Sequence, residues 1–412
     1  MTVALDRTLD EELADPRLVD DPYRVYARLR AENPVHWCEP WRQWVVTRYD
    51  DVQAITRDPA RFSSFGWEAS YLGKLDPDVR ARLGDLERHY STQVLSNTDP
   101  PAHNRLRRLV VRSFAPRVLQ ALRPGIEVLV ERLLDRLDRR GTVDLVEEFA
   151  YPLPAIVIAQ LLGAPEEDRE RFMRWSADLV SFVGSGSPLP DRAERADVSL
   201  RELRACLEPL LEEARERPRE DLISLLAAPP EKGEPLTQDE LVSTCVTLLF
   251  AGHETTANLL GNGLLALLLN PDELERLRRD PNLAAAATEE LLRYDSPVQR
   301  LRRRAREDVE LRGRRIRAGD LVMAFNGSGN RDPERFPEPD RLDLGRGDAG
   351  HLAFGHGIHF CAGAALTRLE APVALNGILR RFPRLRLARD ARIRFKPNIT
   401  FRGLESLPVE LH

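Results

Sequence analysis

Lysine and cysteine are both scarce in this chain of 412 residues. Lysine occurs only at Lys74, Lys232 and Lys396, so nearly all of the positive charge is arginine. The four cysteines are widely separated and form no Cys-x-x-Cys motif, which favours a reducing compartment such as the cytoplasm over a disulfide framework. The formal net charge of −5 is mild and points to neither nucleic acid nor an anionic membrane surface as a partner.

Long apolar runs are missing as well. Residues 1–32 are acidic and polar, with neither a basic n-region nor an apolar stretch, so we expect no membrane anchor there and a flexible segment at 1–20. The apolar stretch 237–270 is interrupted by His253 and Glu254 at mid-length. This leaves no run of ~18 residues without charge, which argues against a membrane span.

Helical periodicity dominates the rest of the chain. A helix is predicted at 22–31, and short strands are predicted at 44–47 and 321–325. The capping box at 237–240 and the Asn-Pro pair at 270–271 delimit one helix that is ~50 Å long. The predicted class is therefore mainly α with a small β portion and a long central helix.

A glycine-punctuated stretch at 354–363, Phe-Gly-His-Gly-Ile-His-Phe-Cys-Ala-Gly, delivers Cys361 to the start of a helix. A helix N-terminus carries a partial positive charge and unpaired N–H donors, so a cysteine placed there ionises more easily. Gly355, Gly357 and Gly363 can take positive φ and let backbone amides approach the sulfur. We interpret Cys361 as a metal-bound thiolate.

Two other interpretations of this stretch are open. Zinc could use His351, His356 and His359 together with Cys361, although their spacing matches no common zinc-finger pattern. A buried structural cysteine is the other alternative, but it leaves the phenylalanine, the histidine and their spacing unexplained.

The pattern Phe-Gly-x-Gly-x-His-x-Cys-x-Gly closely resembles the haem-binding loop of the cytochrome P-450 superfamily, in which the cysteine thiolate is the proximal iron ligand. The resemblance implies a haem b (iron protoporphyrin IX) bound through Cys361. It also implies that Phe354 shields the sulfur, that His359 reaches a haem propionate, and that Gly355 and Gly363 shape the loop.

An Ala-Gly-His-Glu-Thr-Thr motif interrupts the long helix at 251–256. A glycine within a helix costs ~1 kcal/mol relative to alanine, and a threonine hydroxyl there can bend the helix by bonding to an upstream carbonyl. Ala251 and Gly252 leave room for a planar ligand and for dioxygen, while Glu254 and Thr255 form an acid-alcohol pair able to relay protons. Alone, the motif could be a tolerated kink. Beside the cysteine loop, it resembles the oxygen-activation motif of the same family.

Three more positions are assigned to haem by the resemblance. His103 and Arg107 lie one turn apart on a helix opened by two prolines, and the pair alone would indicate a solvated basic helix. In the family, a histidine and an arginine so placed typically bind haem propionates, which suits the fork of donors on a guanidinium. Matching the family also places Arg303 on a propionate.

Glu290 and Arg293 have the i, i+3 spacing of an ordinary surface ion pair. In the resembled family, a buried Glu-x-x-Arg pair occupies this place in the chain and ties into a downstream meander, here 330–337. We therefore expect both side chains to be structural.

The substrate pocket is predicted from the resemblance and from the irregular, aromatic-dotted segment 62–97. The candidate wall residues are Phe65, Trp67, Leu95, Leu179, Phe182, Leu248, Val298, Gln299, Ile399 and Phe401.

The resemblance covers about 21–409 and implies one domain of the cytochrome P-450 fold, although the chain exceeds the ~250–300 residues at which a single core usually divides. It implies a monooxygenase that inserts one atom of O2 into an apolar small molecule. Electrons would come from NAD(P)H through a separate ferredoxin and ferredoxin reductase. We expect a cytoplasmic monomer.

Two other functions are compatible with the haem-binding motif, and the arginines suggest a docking surface. A peroxide-driven peroxygenase of the same fold usually lacks the acid-alcohol pair, and a haem-binding sensor would need an output domain that the sequence does not show. Arginines near the two haem-associated helices are expected to form a basic patch that steers an acidic ferredoxin. The members of this patch are Arg105, Arg108, Arg112 and Arg346.

Overall fold

The computed structural model describes residues 7–66, 71–137, 141–163, 169–184, 188–219, 221–229, 234–348 and 350–412. Its helices are α1 (Leu9–Ala14), α2 (Pro22–Glu32), α3 (Tyr49–Arg57), α4 (Pro77–Arg80), α5 (Gly84–Ser91), α6 (Ala102–Arg112), α7 (Pro116–Leu137), α8 (Pro152–Leu161), α9 (Arg169–Val183), α10 (Pro190–Glu216), α11 (Leu222–Ala227), α12 (Gln238–Leu269), α13 (Pro271–Arg279), α14 (Ala284–Tyr294), α15 (Asn326–Gly329) and α16 (Ala364–Arg381). Its strands are β1 (Val35–Cys38), β2 (Gln43–Val46), β3 (Phe62–Ser63), β4 (Thr142–Asp144), β5 (Leu301–Ala305), β6 (Val309–Leu311), β7 (Arg314–Ile316), β8 (Leu321–Ala324), β9 (Arg386–Leu387) and β10 (Pro408–Glu410).

The fold is built around α12, which we call the central helix. The predicted capping box fixes its beginning, because the Thr237 hydroxyl accepts a hydrogen bond from the Glu240 N–H at 3.2 Å and the Glu240 carboxylate accepts one from the Thr237 N–H at 2.9 Å. Helices α8, α9, α10, α14 and α16 pack around it. No helix among the described residues is long and apolar enough to cross a membrane.

The β portion is small, as predicted. Five strands form one sheet in the order β1-β2-β8-β5-β3, with β2 and β8 parallel and the other pairs antiparallel. The two strands predicted from the sequence, near 44–47 and 321–325, are neighbours in this sheet, with Trp44 opposite Val322. A second sheet has the order β4-β10-β9, and β6 and β7 form a hairpin.

Part of the N-terminal segment that we expected to be flexible is folded. The Thr8 hydroxyl and the Glu11 carboxylate form a capping box at the start of α1. Leu13 and Leu18 are buried in a cluster with α2 and β2. The segment 1–20 is polar overall, so its composition does not reveal that these two leucines are buried. Their burial holds the described part of the segment, from Arg7 onward, against the rest of the protein.

Candidate active site

A backbone hydrogen bond closes the cysteine loop: the Cys361 N–H donates to the Phe354 carbonyl at 2.9 Å. Gly355 and Gly357 have φ of 68° and 69°, as the sequence predicted. Gly357 is also required by packing, since a Cβ there would lie 2.6 Å from the carbonyl oxygen of Thr56. The prediction of positive φ was wrong for Gly363, whose φ is −85°. A Cβ on Gly363 would lie 3.9 Å from the Cys361 sulfur, an ordinary contact distance, so packing does not require a glycine at this position either.

The Cys361 thiol lies deep in the fold and still faces open space. Its residue is exposed, yet burial raises the pKa of the thiol. The backbone N–H groups of Gly363 and Ala364 and the charges of Arg107 and Arg368 act in the opposite direction and lower that pKa. These groups offset part of the cost of burying a thiolate, and a coordinated metal ion would deprotonate the thiol outright.

The two alternative interpretations of the loop are not supported. His351 lies 3.3 Å from the Glu289 carboxylate, His356 lies 2.6 Å from the Arg57 guanidinium, and neither converges on Cys361. Within the described ranges, no group of three or more His, Cys, Asp and Glu side chains could hold a metal ion. The accessible surface of Cys361 argues against a cysteine packed into the core.

A histidine of the cysteine loop meets a histidine from a distant helix. The rings of His103, on α6, and His359 stand edge to face with centroids 4.5 Å apart. The Nε2 atom of each ring is buried and has no hydrogen-bond partner within the described structure. Burial lowers the pKa of both rings, and for His359 burial, with Arg303 and His103 beside it, lowers the pKa to about 3. Burial also lowers the pKa of Arg303 to about 10.

This cluster fits the propionate end of a haem. Buried polar atoms in native proteins are nearly always hydrogen-bonded, so two orphaned imidazole nitrogens next to a buried guanidinium indicate a site for an anionic acceptor. Arg107 has a contact of its own: its guanidinium donates to the Phe360 carbonyl at 2.8 Å, next to the cysteine. The structure therefore brings His103, His359, Arg303 and Arg107 together around one loop, and their binding to haem stays a prediction.

One face of the otherwise buried central helix is open. Ala251 is exposed, and Leu248, Gly252 and Thr255 are half-buried at helical spacing along that face. Ala251 therefore leaves room on this face. Gly252 serves another purpose, because a Cβ there would lie 3.1 Å from the Ile158 side chain of α8. The glycine allows close packing of two helices.

The acid and the alcohol of the 251–256 motif have different partners. The Thr255 hydroxyl donates to the Ala251 carbonyl one turn back, at 2.6 Å. The buried Glu254 carboxylate accepts hydrogen bonds from Lys396 at 2.8 Å and from Asn258 at 3.2 Å. Consecutive residues on a helix project ~100° apart, so the two groups do not contact each other in this arrangement. Sequence reasoning missed Lys396, since no motif links it to Glu254.

The candidate pocket residues differ in burial and lie in different parts of the structure. Leu95, Leu248, Val298 and Phe401 are half-buried, and Val298 pairs with Phe401 through an isolated β-bridge. Phe65 is 53% exposed. The remaining described candidates belong to packed regions, and Trp67 lies outside the described residues.

Four candidates are structural in their contacts. Leu179 and Phe182 are buried in the main core, where the Phe182 ring packs against Tyr71 at 5.3 Å. The Gln299 amide donates to the Tyr23 hydroxyl at 3.1 Å and to the Ser296 carbonyl at 2.8 Å. Ile399 packs against the N-terminal cluster. The same residue types line pockets and fill cores, which is why the sequence could not separate the two.

The expected basic patch is smaller than predicted. The Arg105 guanidinium pairs with Glu240, and Arg346 pairs with the buried Glu290 at 3.2 Å. Both arginines therefore hold elements of the fold together. Arg108 and Arg112 remain exposed on α6.

Comparison with known proteins agrees with this geometry. The family model described as "Cytochrome P450" matches residues 73–398. The chain is 43% identical to "Cytochrome P450 107B1" of Saccharopolyspora erythraea, with 96% of each chain covered. It is 41% identical to "Cytochrome P450 monooxygenase PikC" of Streptomyces venezuelae, covering 99% of this chain and 95% of that protein.

The fold is similar to that of solved structures. The structure of P450BioI in complex with an acyl carrier protein ligated to hexadec-9Z-enoic acid matches with a TM-score of 0.88 and 37% identity. The match covers 96% of this chain and 100% of the P450BioI chain. This similarity confirms the predicted single-domain architecture with a long central helix and a cysteine loop.

Proposed function

The chain belongs to the cytochrome P450 family and is a P450 monooxygenase, and we propose that it inserts one atom of O2 into an apolar small molecule, with electrons that reach it from NAD(P)H through separate partners. The observation that carries the proposal is the juxtaposition, beside one loop, of an accessible Cys361 with the unpartnered Nε2 atoms of His103 and His359. This set of groups suits a cofactor that is ligated at its metal and anionic at its edge.

The haem of the family would be held by Cys361 as the thiolate ligand and by His103, His359 and Arg303 at its carboxylates. When bound, haem supplies the redox chemistry that activates dioxygen. The backbone N–H groups of Gly363 and Ala364 stabilise negative charge on the sulfur. Ala251, on the open face of the central helix, leaves space for a planar group.

Proton delivery is the proposed role of Glu254 and Thr255. The carboxylate of Glu254 can carry a proton toward the open face of the helix. The Thr255 hydroxyl, which donates to the Ala251 carbonyl at 2.6 Å, lies on that face, where it can hold a water molecule. General acids act by holding a proton within hydrogen-bond reach of the group that receives it. Thr255 occupies the required face, and Glu254 is the nearest acid along the helix.

The proposed electron donor is a small acidic ferredoxin with its reductase. Arg108 and Arg112 are exposed on α6, the helix whose Arg107 contacts the cysteine loop. Positive charge there would steer an acidic partner toward the side of the thiolate. Replacing Arg112 by Glu should slow ferredoxin-dependent reduction and flatten its dependence on salt, measured by stopped flow, with Arg315→Glu on the β6-β7 hairpin as the matched control. Unchanged rates would exclude this docking surface.

A cytoplasmic location belongs to the same proposal, because the thiols Cys38, Cys245 and Cys361 are free and call for a reducing compartment. The relatives suggest a class of substrate for this protein and no individual molecule. P450BioI was solved with an acyl carrier protein carrying a fatty acid, so a long apolar chain is one reasonable starting point for a substrate screen.

The test is an isotope experiment on the purified protein. A panel of apolar molecules is first screened for a shift in the haem spin state, and a molecule that shifts it is incubated with ferredoxin, reductase, NAD(P)H and 18O2. We expect one 18O atom in the product and little product when peroxide replaces the electron donor. Product formed only with peroxide would identify a peroxygenase, and the absence of product from every molecule that shifts the spin state would favour a sensor.

A further inference from the structure

A lysine from the C-terminal segment forms an ion pair with the acid of the central helix. Lys396 Nζ lies 2.8 Å from the Glu254 carboxylate, although the two residues are 142 positions apart. Only 2% of the Glu254 side chain is exposed, compared with 27% of the Lys396 side chain. Lys396 therefore lies between the buried acid and the solvent.

A small cavity lined in part by Lys396 adds an independent observation. Its volume is about 10 Å³, and its lining includes Tyr26, Gln299, Lys396, Asn398 and Arg402. A cavity needs ~10–15 Å³ and several polar partners to hold one water molecule. The cavity meets both requirements and brings a possible proton source to the lysine that holds Glu254.

The other groups around Glu254 offer no second cation in the described structure. The Tyr151 phenol lies beside the carboxylate, and burial together with that negative charge raises the pKa of Tyr151 well above its usual value. Burial lowers the pKa of His253 to about 4, so this ring is neutral at pH 7. The Asn258 amide donates a hydrogen bond but carries no charge. Asp178 adds only negative charge near Tyr151.

We propose that Lys396 is a positioning residue that sets the direction in which Glu254 points during proton delivery. The ionised carboxylate is held by Lys396, which also lines the cavity, and takes up a proton from water on that side. Protonation removes its negative charge and with it the attraction to Lys396, so the neutral acid is free to turn toward Thr255. After it has given up the proton there, the carboxylate is ionised again and returns to Lys396. The inference rests on the proposed function.

The ion pair itself can be observed without turnover. Reductive methylation with 13C-formaldehyde labels the amino groups and keeps their charge, and the sequence has only three lysines, Lys74, Lys232 and Lys396. Lysine-to-arginine variants assign the signals. In the folded haem protein, Glu254→Gln should move the Lys396 signal and leave the Lys74 signal in place. A Lys396 signal that does not respond would overturn the proposal.

Turnover then tests the positioning role. Lys396→Met should divert reductant from product to hydrogen peroxide, lowering the product fraction severalfold, and should increase the effect of D2O on that fraction. Lys396→Arg, which keeps the charge, should recover most of the product, and Lys74→Met is the control that should behave as wild type. A purely structural lysine would change stability without changing the solvent isotope effect.

The outcomes separate this inference from the function on which it rests. If Glu254→Gln loses product to peroxide while Lys396→Met and wild type give the same product fraction and isotope effect, the role of Lys396 is refuted and the monooxygenase proposal stands. If neither substitution changes the product fraction, the role of Glu254 is refuted as well. If Lys396→Met does not fold, the NMR response to Glu254→Gln and the turnover of Lys396→Arg decide the question.

Discussion

The Arg293 guanidinium donates two hydrogen bonds of 2.8 Å to the Glu290 carboxylate, and both side chains are almost fully buried. Arg293 also donates to the carbonyl of Asn330 at 2.9 Å and to that of Pro339 at 2.7 Å. The Glu290 carboxylate accepts from the Asp343 N–H at 3.0 Å. The pair thus joins α14 to the segment that leads into the cysteine loop, and the structural role predicted for it is tested by the substitution described next.

Breaking this pair should destabilise the protein strongly. Removing one partner of a buried, hydrogen-bonded ion pair leaves a buried charge without compensation and typically costs about 3–5 kcal/mol. Glu290→Gln should lower the free energy of unfolding by that amount in a urea titration of the haem-containing protein. Glu275→Gln is the matched control, because its pair with Arg279 is exposed and is worth about 1 kcal/mol or less. Equal losses in the two variants would contradict the account.

The stability of the protein should depend on pH through Glu370. It is buried on α16, its Oε2 atom has no hydrogen-bond partner within the described structure, and burial raises its pKa from 4.5 to about 8. The folded protein therefore favours the protonated acid, and wild type loses stability as the pH rises from about 4.5 to about 8. Glu370→Gln should remove this loss and raise the free energy of unfolding at pH 7 by up to about 3 kcal/mol. Below pH 4.5 the pKa-dependent gain should vanish, and a gain of the same size at pH 4 and pH 7 would show that ionisation is not its cause.

Thr255 separates a catalytic role from a structural one. Its hydroxyl donates to the Ala251 carbonyl, so a purely structural role predicts that Thr255→Ala changes stability by about 1 kcal/mol or less and leaves the ratio of product to NAD(P)H unchanged. The proposed proton relay predicts instead that the variant still consumes NAD(P)H but releases more hydrogen peroxide and less product. Product, peroxide and reductant are measured together, with Thr256→Ser as a control on the neighbouring buried hydroxyl. Equal coupling in Thr255→Ala and wild type would remove Thr255 from the relay.

Local chemistry made much of this fold predictable. The capping box at Thr237 and the glycines at 355 and 357 act on their own backbone neighbourhood, so their consequences are visible in the sequence. The ion pair of Lys396 with Glu254 and the packing of Ile158 against Gly252 depend on how distant segments meet. No periodicity or motif in the sequence predicts these long-range contacts. The same residue types also line pockets and fill the core.

The central claim is that Cys361 is the thiolate ligand of a haem. Carbon monoxide added to the reduced protein should give the red-shifted Soret band of thiolate-ligated haem. Cys361→His should keep haem and lose that band, whereas Cys245→Ala, which removes a buried free thiol, should retain it. A red-shifted band that persists in Cys361→His would contradict the assignment of the ligand.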